Sequence, residues 1–370
     1  MLSTGFARFE IVVDEPRRHG VTCRPQLMGG LGRGAAWARR RPQGLPPSAS
    51  HCSRPFVNGQ GGLVSNASRR SLFVGLLLAV VTVSRVSAAP PYSAWSAATN
   101  LGAAINTPFD EGGPALSKDG RSLYFHSNRP GLGNTDLWVS HRESDSDPWG
   151  PPTNLGPRVN TAFAEQVPGL SRDGHFLFFA SDRPGGSGDF DIWVSWREDT
   201  HDDLGWQPAV NVGSALNTAG FEGGPSFFEN DEGGMPQLFF ASVRPAVPNL
   251  EIYVSDQSAD GSFGPAARVA ELGTSAADQA PDIRFDGLEM FIQSNRSGTT
   301  GLNDIWVSTR ETVFDPWSTP ANLGPLVNSA ANDNAPTISS DRETLYFVSN
   351  RTGGAGLLDL WMSTRTKGHD

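Results

Sequence analysis

Five carboxylates recur along the chain at steps of 54, 57, 56 and 55 residues, each three residues ahead of a proline: Glu111/Pro114, Glu165/Pro168, Glu222/Pro225, Asp278/Pro281 and Asp333/Pro336. An arginine closing a Ser-x-Arg phrase follows each, at Arg129, Arg183, Arg244, Arg296 and Arg351. The offset is 18 residues in four units and 22 in the third. Such a constant offset suits an acid–arginine staple inside each unit. A ring of carboxylates would instead attract a hard cation such as calcium, whose ligands are oxygens, or a basic peptide. A second acid per unit (Asp136, Asp191, Glu251, Asp304, Asp359) leaves ten carboxylates against five arginines, a surplus that a cation would relieve.

Four residues break the repeat and are the candidates for catalysis, because reaction on a symmetric ring needs unlike groups. Asp282 stands where other units carry Ala115, Gly169, Ser226 and Thr337. Arg284 replaces Ser117, Ser171 and Ser339, while His126 and Gln293 replace Ala180, Ala241 and Val348. Asp282 or His126 could serve as a base, with Arg284 neutralising a substrate carboxylate. The alternative is ordinary variation between units. Other chemistries find no motif. No histidine pair has zinc spacing, and no G-x-S-x-G elbow occurs. Glycine-rich stretches such as Gly185-Gly186-Ser187-Gly188 lead into strand patterns, not into the helix a phosphate loop requires. Both cysteines, Cys23 and Cys52, lie in the first part of the chain, which excludes a disulfide scaffold for the rest.

The elements that must position these residues repeat with them. After each proline an apolar stretch leads to a turn, often Asp-Gly as at Asp119-Gly120, a hairpin signal. A second apolar strand follows, for example Leu177-Phe178-Phe179, and ends at the Ser-x-Arg phrase. A third strand opens with the second acid and an aromatic (Trp138, Trp193, Tyr253, Trp306, Trp361), whose expected role is to fill the space between sheets. A fourth opens with Trp149, Trp206, Phe263 or Trp317 and ends near Asn-Leu-Gly. Four strands in about 55 residues predict a β-propeller blade. The fifth unit lacks its fourth strand, and Trp95 through Asn100-Leu101-Gly102 repeats the missing phrase. The expected fold is all-β: a five-bladed β-propeller over residues 90–370, closed by an N-terminal strand.

The repeat phrase, roughly P-x-x-S-x-D-G-x-x-L-x-F-x-S-x-R followed by an acid-apolar-aromatic strand, resembles the TolB-type β-propeller repeat over residues 93–366. The third unit departs from it: Glu229 to Gly234 lengthens a turn, and Pro245 to Pro248 replaces the glycine-rich loop. The resemblance implies an exported protein that binds other molecules, with some related propellers acting as polysaccharide lyases.

The first ninety residues differ in kind. They hold twelve arginines against three acids, whereas the remainder holds 17 basic and 36 acidic residues. An acidic body of this size disfavours nucleic acid as a partner. Arg69 and Arg70 precede an apolar run from Leu72 to Val83, followed by Val86-Ser87-Ala88-Ala89. Residues 65–89 therefore predict a signal peptide, too short for a membrane span. Ser68-Arg69-Arg70-Ser71-Leu72-Phe73 resembles the twin-arginine motif, with an ordinary Sec signal as the alternative. Residues 1–64 show no sustained period and read as an over-extended gene start or a disordered extension. The expectation is a periplasmic or extracellular monomer, a non-catalytic binding or scaffolding module. Its partner, a protein or peptide, a cell-envelope component or a glycan, would sit on the face bearing the acid ring and the glycine-rich loops. The alternative is a carbohydrate-active enzyme, a polysaccharide lyase or glycosidase, centred on Asp282.

Overall fold

The computed structural model describes residues 92–245 and 247–368; its described residues form twenty β-strands and no helix. The expectations for residues 1–64, the signal segment, Cys23 and Cys52 fall outside them. The strands form five four-stranded antiparallel sheets. The first strands are β2 (Glu111–Leu116), β6 (Glu165–Leu170), β10 (Glu222–Phe228), β14 (Asp278–Ile283) and β18 (Asp333–Ile338). Each contacts the next, and β18 contacts β2, so the ring is closed around an axis. The second strands are β3 (Ser122–Ser127), β7 (Phe176–Ser181), β11 (Gln237–Arg244), β15 (Glu289–Ser294) and β19 (Thr344–Ser349). The third are β4 (Asp136–His141), β8 (Asp191–Trp196), β12 (Val247–Asp256), β16 (Asp304–Thr309) and β20 (Asp359–Thr364). Two-residue outer strands complete the blades: β5 (Thr153–Asn154), β9 (Val210–Asn211), β13 (Ala267–Arg268), β17 (Ala321–Asn322) and β1 (Thr99–Asn100).

Closure follows the expected route. Thr99 pairs with Met362 and Asn100 with Trp361, so the fifth blade is built from both ends of the propeller. No blade edge along the ring is left unpaired at this point, which removes the hazard of an open sheet. Arg365, just past β20, fixes the seam. Its guanidinium lies over Tyr92 and Trp95, at 4.0 and 4.6 Å from the ring centroids, and grips both carboxylate oxygens of Glu289 in the preceding blade at 3.0 and 2.6 Å.

The core sits between blades. Leu137 and Tyr124 of the first blade pack with Phe179, Trp193 and Trp206 of the second, and four similar clusters fill the other seams. Each such large side chain contributes about 1.5–3 kcal/mol on burial. The aromatics that open the third strands serve this packing, as expected. Their second faces carry the Ser-x-Arg arginines: Arg183 lies 5.1 Å from the Trp193 centroid and Arg351 lies 5.2 Å from Trp361.

Candidate functional site

The five first-strand acids are fully buried. Glu165 accepts hydrogen bonds from Thr161 N and Oγ1 at 2.9 and 2.6 Å and from Ser181 Oγ at 3.0 Å, and pairs with Arg183 at 3.0 Å. Glu111 repeats this with Thr107, Ser127 and Arg129. Asp278 and Asp333 pair with Arg296 and Arg351, each at 2.5 Å. Glu222 accepts from Thr218 and Ser242, while Arg244 bonds Ser242 and the Leu216 carbonyl. The carboxylates thus begin the innermost strands but turn into the blade wall, where local donors consume their lone pairs. This corrects the expected ring of Glu111, Glu165, Glu222, Asp278 and Asp333 at a channel mouth: all five carboxylates are buried and bonded to local donors, not presented to calcium or a basic peptide. Among the described residues no cluster of three or more metal-ligating acids, histidines or cysteines occurs.

The second acids organise the glycine-rich loops. Asp136 accepts from Leu132 N at 2.5 Å, Gly133 N at 3.0 Å and Asn154 Nδ2 at 2.7 Å. A Cβ at Gly131 would collide with this carboxylate, and Gly186 and Gly354 stand in the same relation to Asp191 and Asp359. The glycines are therefore a steric requirement of the buried acid. Asp191, Asp304 and Asp359 likewise accept from loop N–H and amide donors, whereas Glu251, in the unit without the glycine-rich loop, pairs with Arg268 at 2.7 Å.

Along the axis every first strand carries a register shift, between Gly112 and Ala115 in the first blade and at the equivalent positions in the others. The bulged residue has positive φ in all five: Gly113 54°, Val167 46°, Gly224 61°, Ala280 48° and Ala335 42°. These residues crowd together. A Cβ on Gly113 would lie 2.7 Å from Val167 Cα, and one on Gly224 would lie 3.0 Å from Ala280 Cα. The bulges narrow the axis and divide its two ends.

The four repeat-breaking candidates separate at this constriction. His126 sits on the entry side, where the first strands begin, folded over Gly112. Its Nδ1 accepts from Val167 N of the next blade at 3.2 Å, which puts the proton on Nε2. Burial pushes its pKa down to about 4, so the ring is neutral at pH 7. Gln293 does the same job between the fourth and fifth blades, its Oε1 accepting from Ala335 N at 3.1 Å. Asp282 lies beyond the bulge. It pairs with Phe291 whereas Gln279 pairs with Gln293, two residues or roughly 7 Å nearer the exit side, where the first strands finish. Arg284 lies two residues further, committed to Asp286 at 2.7 Å and Glu289 at 2.6 Å. The expected cluster of Asp282, Arg284, His126 and Gln293 is therefore not assembled, and Arg284 is corrected from a substrate clamp to part of the closure network with Glu289 and Arg365.

Asp282 keeps its candidacy alone. Among the described residues it is the only carboxylate lining an axial cavity of about 50 Å³ that runs from the bulges toward the exit side. Oδ2 accepts from Ile338 N at 2.9 Å, linking the fourth and fifth blades, and the other oxygen has no partner among the described residues. Burial pushes its pKa up to about 7. Phe285 lines this cavity and also a larger one of about 360 Å³ at the exit mouth.

That mouth was missed by the sequence reading although the signal was present. The position seven residues after each first acid is Lys118, Arg172, Glu229, Phe285 or Ser340, a different chemistry in every blade. A position equivalent in geometry and unlike in chemistry is not there for the repeat.

Comparison with known proteins found no matching family model and no matching curated protein. Among solved structures the chain is similar to an α-L-arabinofuranosidase from Lactobacillus brevis, with 14% identity and a TM-score of 0.52, covering 72% of this chain and 94% of that one. A thermostable family-43 glycoside hydrolase gives 11% identity and a TM-score of 0.49 over 72% and 92%. A putative TolB from Agrobacterium tumefaciens gives 15% identity and a TM-score of 0.43 over 76% and 100%. Likeness at these identities shows the five-bladed fold alone. The expectation of a non-catalytic binding or scaffolding module is corrected on this finding: the fold is shared with a structure described as an α-L-arabinofuranosidase and so gives that expectation no support.

Proposed function

We propose that this chain is a carbohydrate-active enzyme acting through Asp282 at the exit side of the propeller axis. The observation that carries the reading is the position of Asp282 as the sole carboxylate of the axial cavity, held near neutrality in its own environment. A group half protonated at the working pH can give or take a proton efficiently. The axial cavity is water-sized, so the sugar would occupy the larger exit cavity, with Phe285 as the shared wall. The exit cavity that would hold the sugar is itself lined by Asp231, Glu232 and Asp286, so the single base of a polysaccharide lyase and the carboxylate pair of a glycosidase are both available.

The TolB-type assignment is supported by the repeat phrase, and export by the basic-apolar-small segment at 65–89. Mature protein is expected to begin near Ala89 or Pro90, which N-terminal sequencing of an envelope fraction checks. For the activity, a panel of polysaccharides is incubated with wild-type protein and with Asp282→Asn. Product release that is lost in Asp282→Asn, with the fold unchanged by circular dichroism, supports the reading. Equal release by both proteins removes Asp282 from it.

A further inference from the structure

The structure assigns a recognition site for an acidic saccharide to the exit mouth, with Lys118, Arg172 and Arg342 facing its carboxylate and Phe285 supporting its ring. This rests on the carbohydrate-active reading and names its substrate class. Lysine is rare here, with only Lys118 and Lys367 in the whole chain. Structural cation work falls to arginines stacked on aromatics, as Arg142 on Trp149, Arg197 on Trp206 and Arg310 on Trp317. Lys118 stands outside that scheme: it is exposed, and its ammonium has no partner among the described residues. It lines the cavity of about 360 Å³ together with Arg172, Arg342 and Phe285, within the size range of ligand sites. Lys118 and Arg172 also line an adjoining cavity of about 400 Å³, which gives an oligomer room to continue.

Arg342 supplies the second observation. It has φ 73° at a hairpin position where the first, second and fourth blades carry Gly120, Gly174 and Gly287. A side chain in that conformation costs about 1 kcal/mol. Its guanidinium meets Asp286 through one nitrogen at 3.2 Å, and Arg172 meets Asp231 likewise through one nitrogen, so both forks retain donors. Three cations face Asp231, Glu232 and Asp286 in this cavity, an even balance on a body where acids outnumber bases 36 to 17. The mouth is thus locally suited to a uronate, whose carboxylate takes the cations and whose apolar ring face takes Phe285.

Titration calorimetry with trigalacturonate and, as the neutral control, its methyl ester tests the site. The acid form is expected to bind at least about tenfold more tightly, with affinity falling as salt rises. Lys118→Gln and Arg342→Gly should each weaken binding about three- to tenfold, and Arg342→Gly, which restores the glycine turn, should melt no lower than wild type. Equal binding of acid and ester, no binding of either, or wild-type affinity in both variants would overturn the site. Asp282→Asn separates the two proposals: it should keep trigalacturonate binding. Binding without turnover by the wild type counts against the enzymatic reading and leaves the site; turnover of neutral glycans alone does the reverse.

Discussion

Replacing Asp282 by Asn should make the protein's stability less sensitive to pH, in a direction that few surface carboxylates would give. Asp282 has its pKa pushed from 3.8 to about 7 by burial among the first strands, opposed only by the hydrogen bond from Ile338 N. Because the folded value lies above the unfolded one, the stabilisation is fully present below about pH 4 and is lost as pH rises toward 7. A three-unit shift corresponds to about 4 kcal/mol. The free oxygen faces the axial cavity, where water can enter, and this relief brings the expectation to about 2–4 kcal/mol. Asn keeps an acceptor for Ile338 N and cannot ionise. The two proteins should therefore unfold at similar urea concentrations near pH 4. The variant should then gain progressively, by about 2–4 kcal/mol at and above pH 7. Urea titrations across this range, read by tryptophan fluorescence, measure the difference. An offset that stays constant with pH, or a variant that is less stable than wild type at pH 8, would refute the argument that Asp282 sits half-buried at the axis without a charge partner.

His126 should act in the opposite sense. Its pKa is depressed, so its stabilisation holds above the unfolded value near 6.5 and is lost as pH falls toward 4; His126→Gln, which mimics Gln293, should raise stability at pH 4–5 by about 1–3 kcal/mol in the same assay. Removing the closure carboxylate with Glu289→Ala leaves Arg365 buried without its carboxylate partner and Arg284 with Asp286 alone, and should cost about 3–5 kcal/mol, read as a lower melting temperature; an unchanged melting temperature would refute the seam's role. Millimolar calcium is expected to leave the melting temperature unchanged, since the oxygens of Glu111, Glu165, Glu222, Asp278 and Asp333 already accept local donors; a clear rise would reinstate the cation ring. Deleting residues 92–102 should expose the edge of β20 and yield aggregated protein by light scattering, and a soluble, cooperatively melting product would contradict the closure.

The sequence by itself determined the architecture. Strand alternation, Asp-Gly turns and five copies of each phrase are local signals, and closure by Trp95 to Gly102 followed from counting, because the last unit lacked the strand that this segment supplies. The acid–arginine offset was also legible, since a constant separation across one hairpin brings two residues together whatever the rest of the fold does. What only the tertiary structure decided was which side chains face the axis. Glu111 opens an innermost strand, yet its carboxylate turns back to Thr107 and Ser127, because a buried charge goes where donors are. Bulges at Gly113 and its equivalents then place His126 and Asp282 on opposite sides of a constriction that no spacing in the sequence reveals. Arg284 was captured by Glu289, whose importance comes from Arg365 in a different blade, 76 residues away. The exit-mouth set of Lys118, Arg172, Phe285 and Arg342 comes from four blades, and only ring closure makes neighbours of residues so far apart in the chain. Local periodicity fixes which strands form; burial, charge pairing and the closed ring fix where their side chains point.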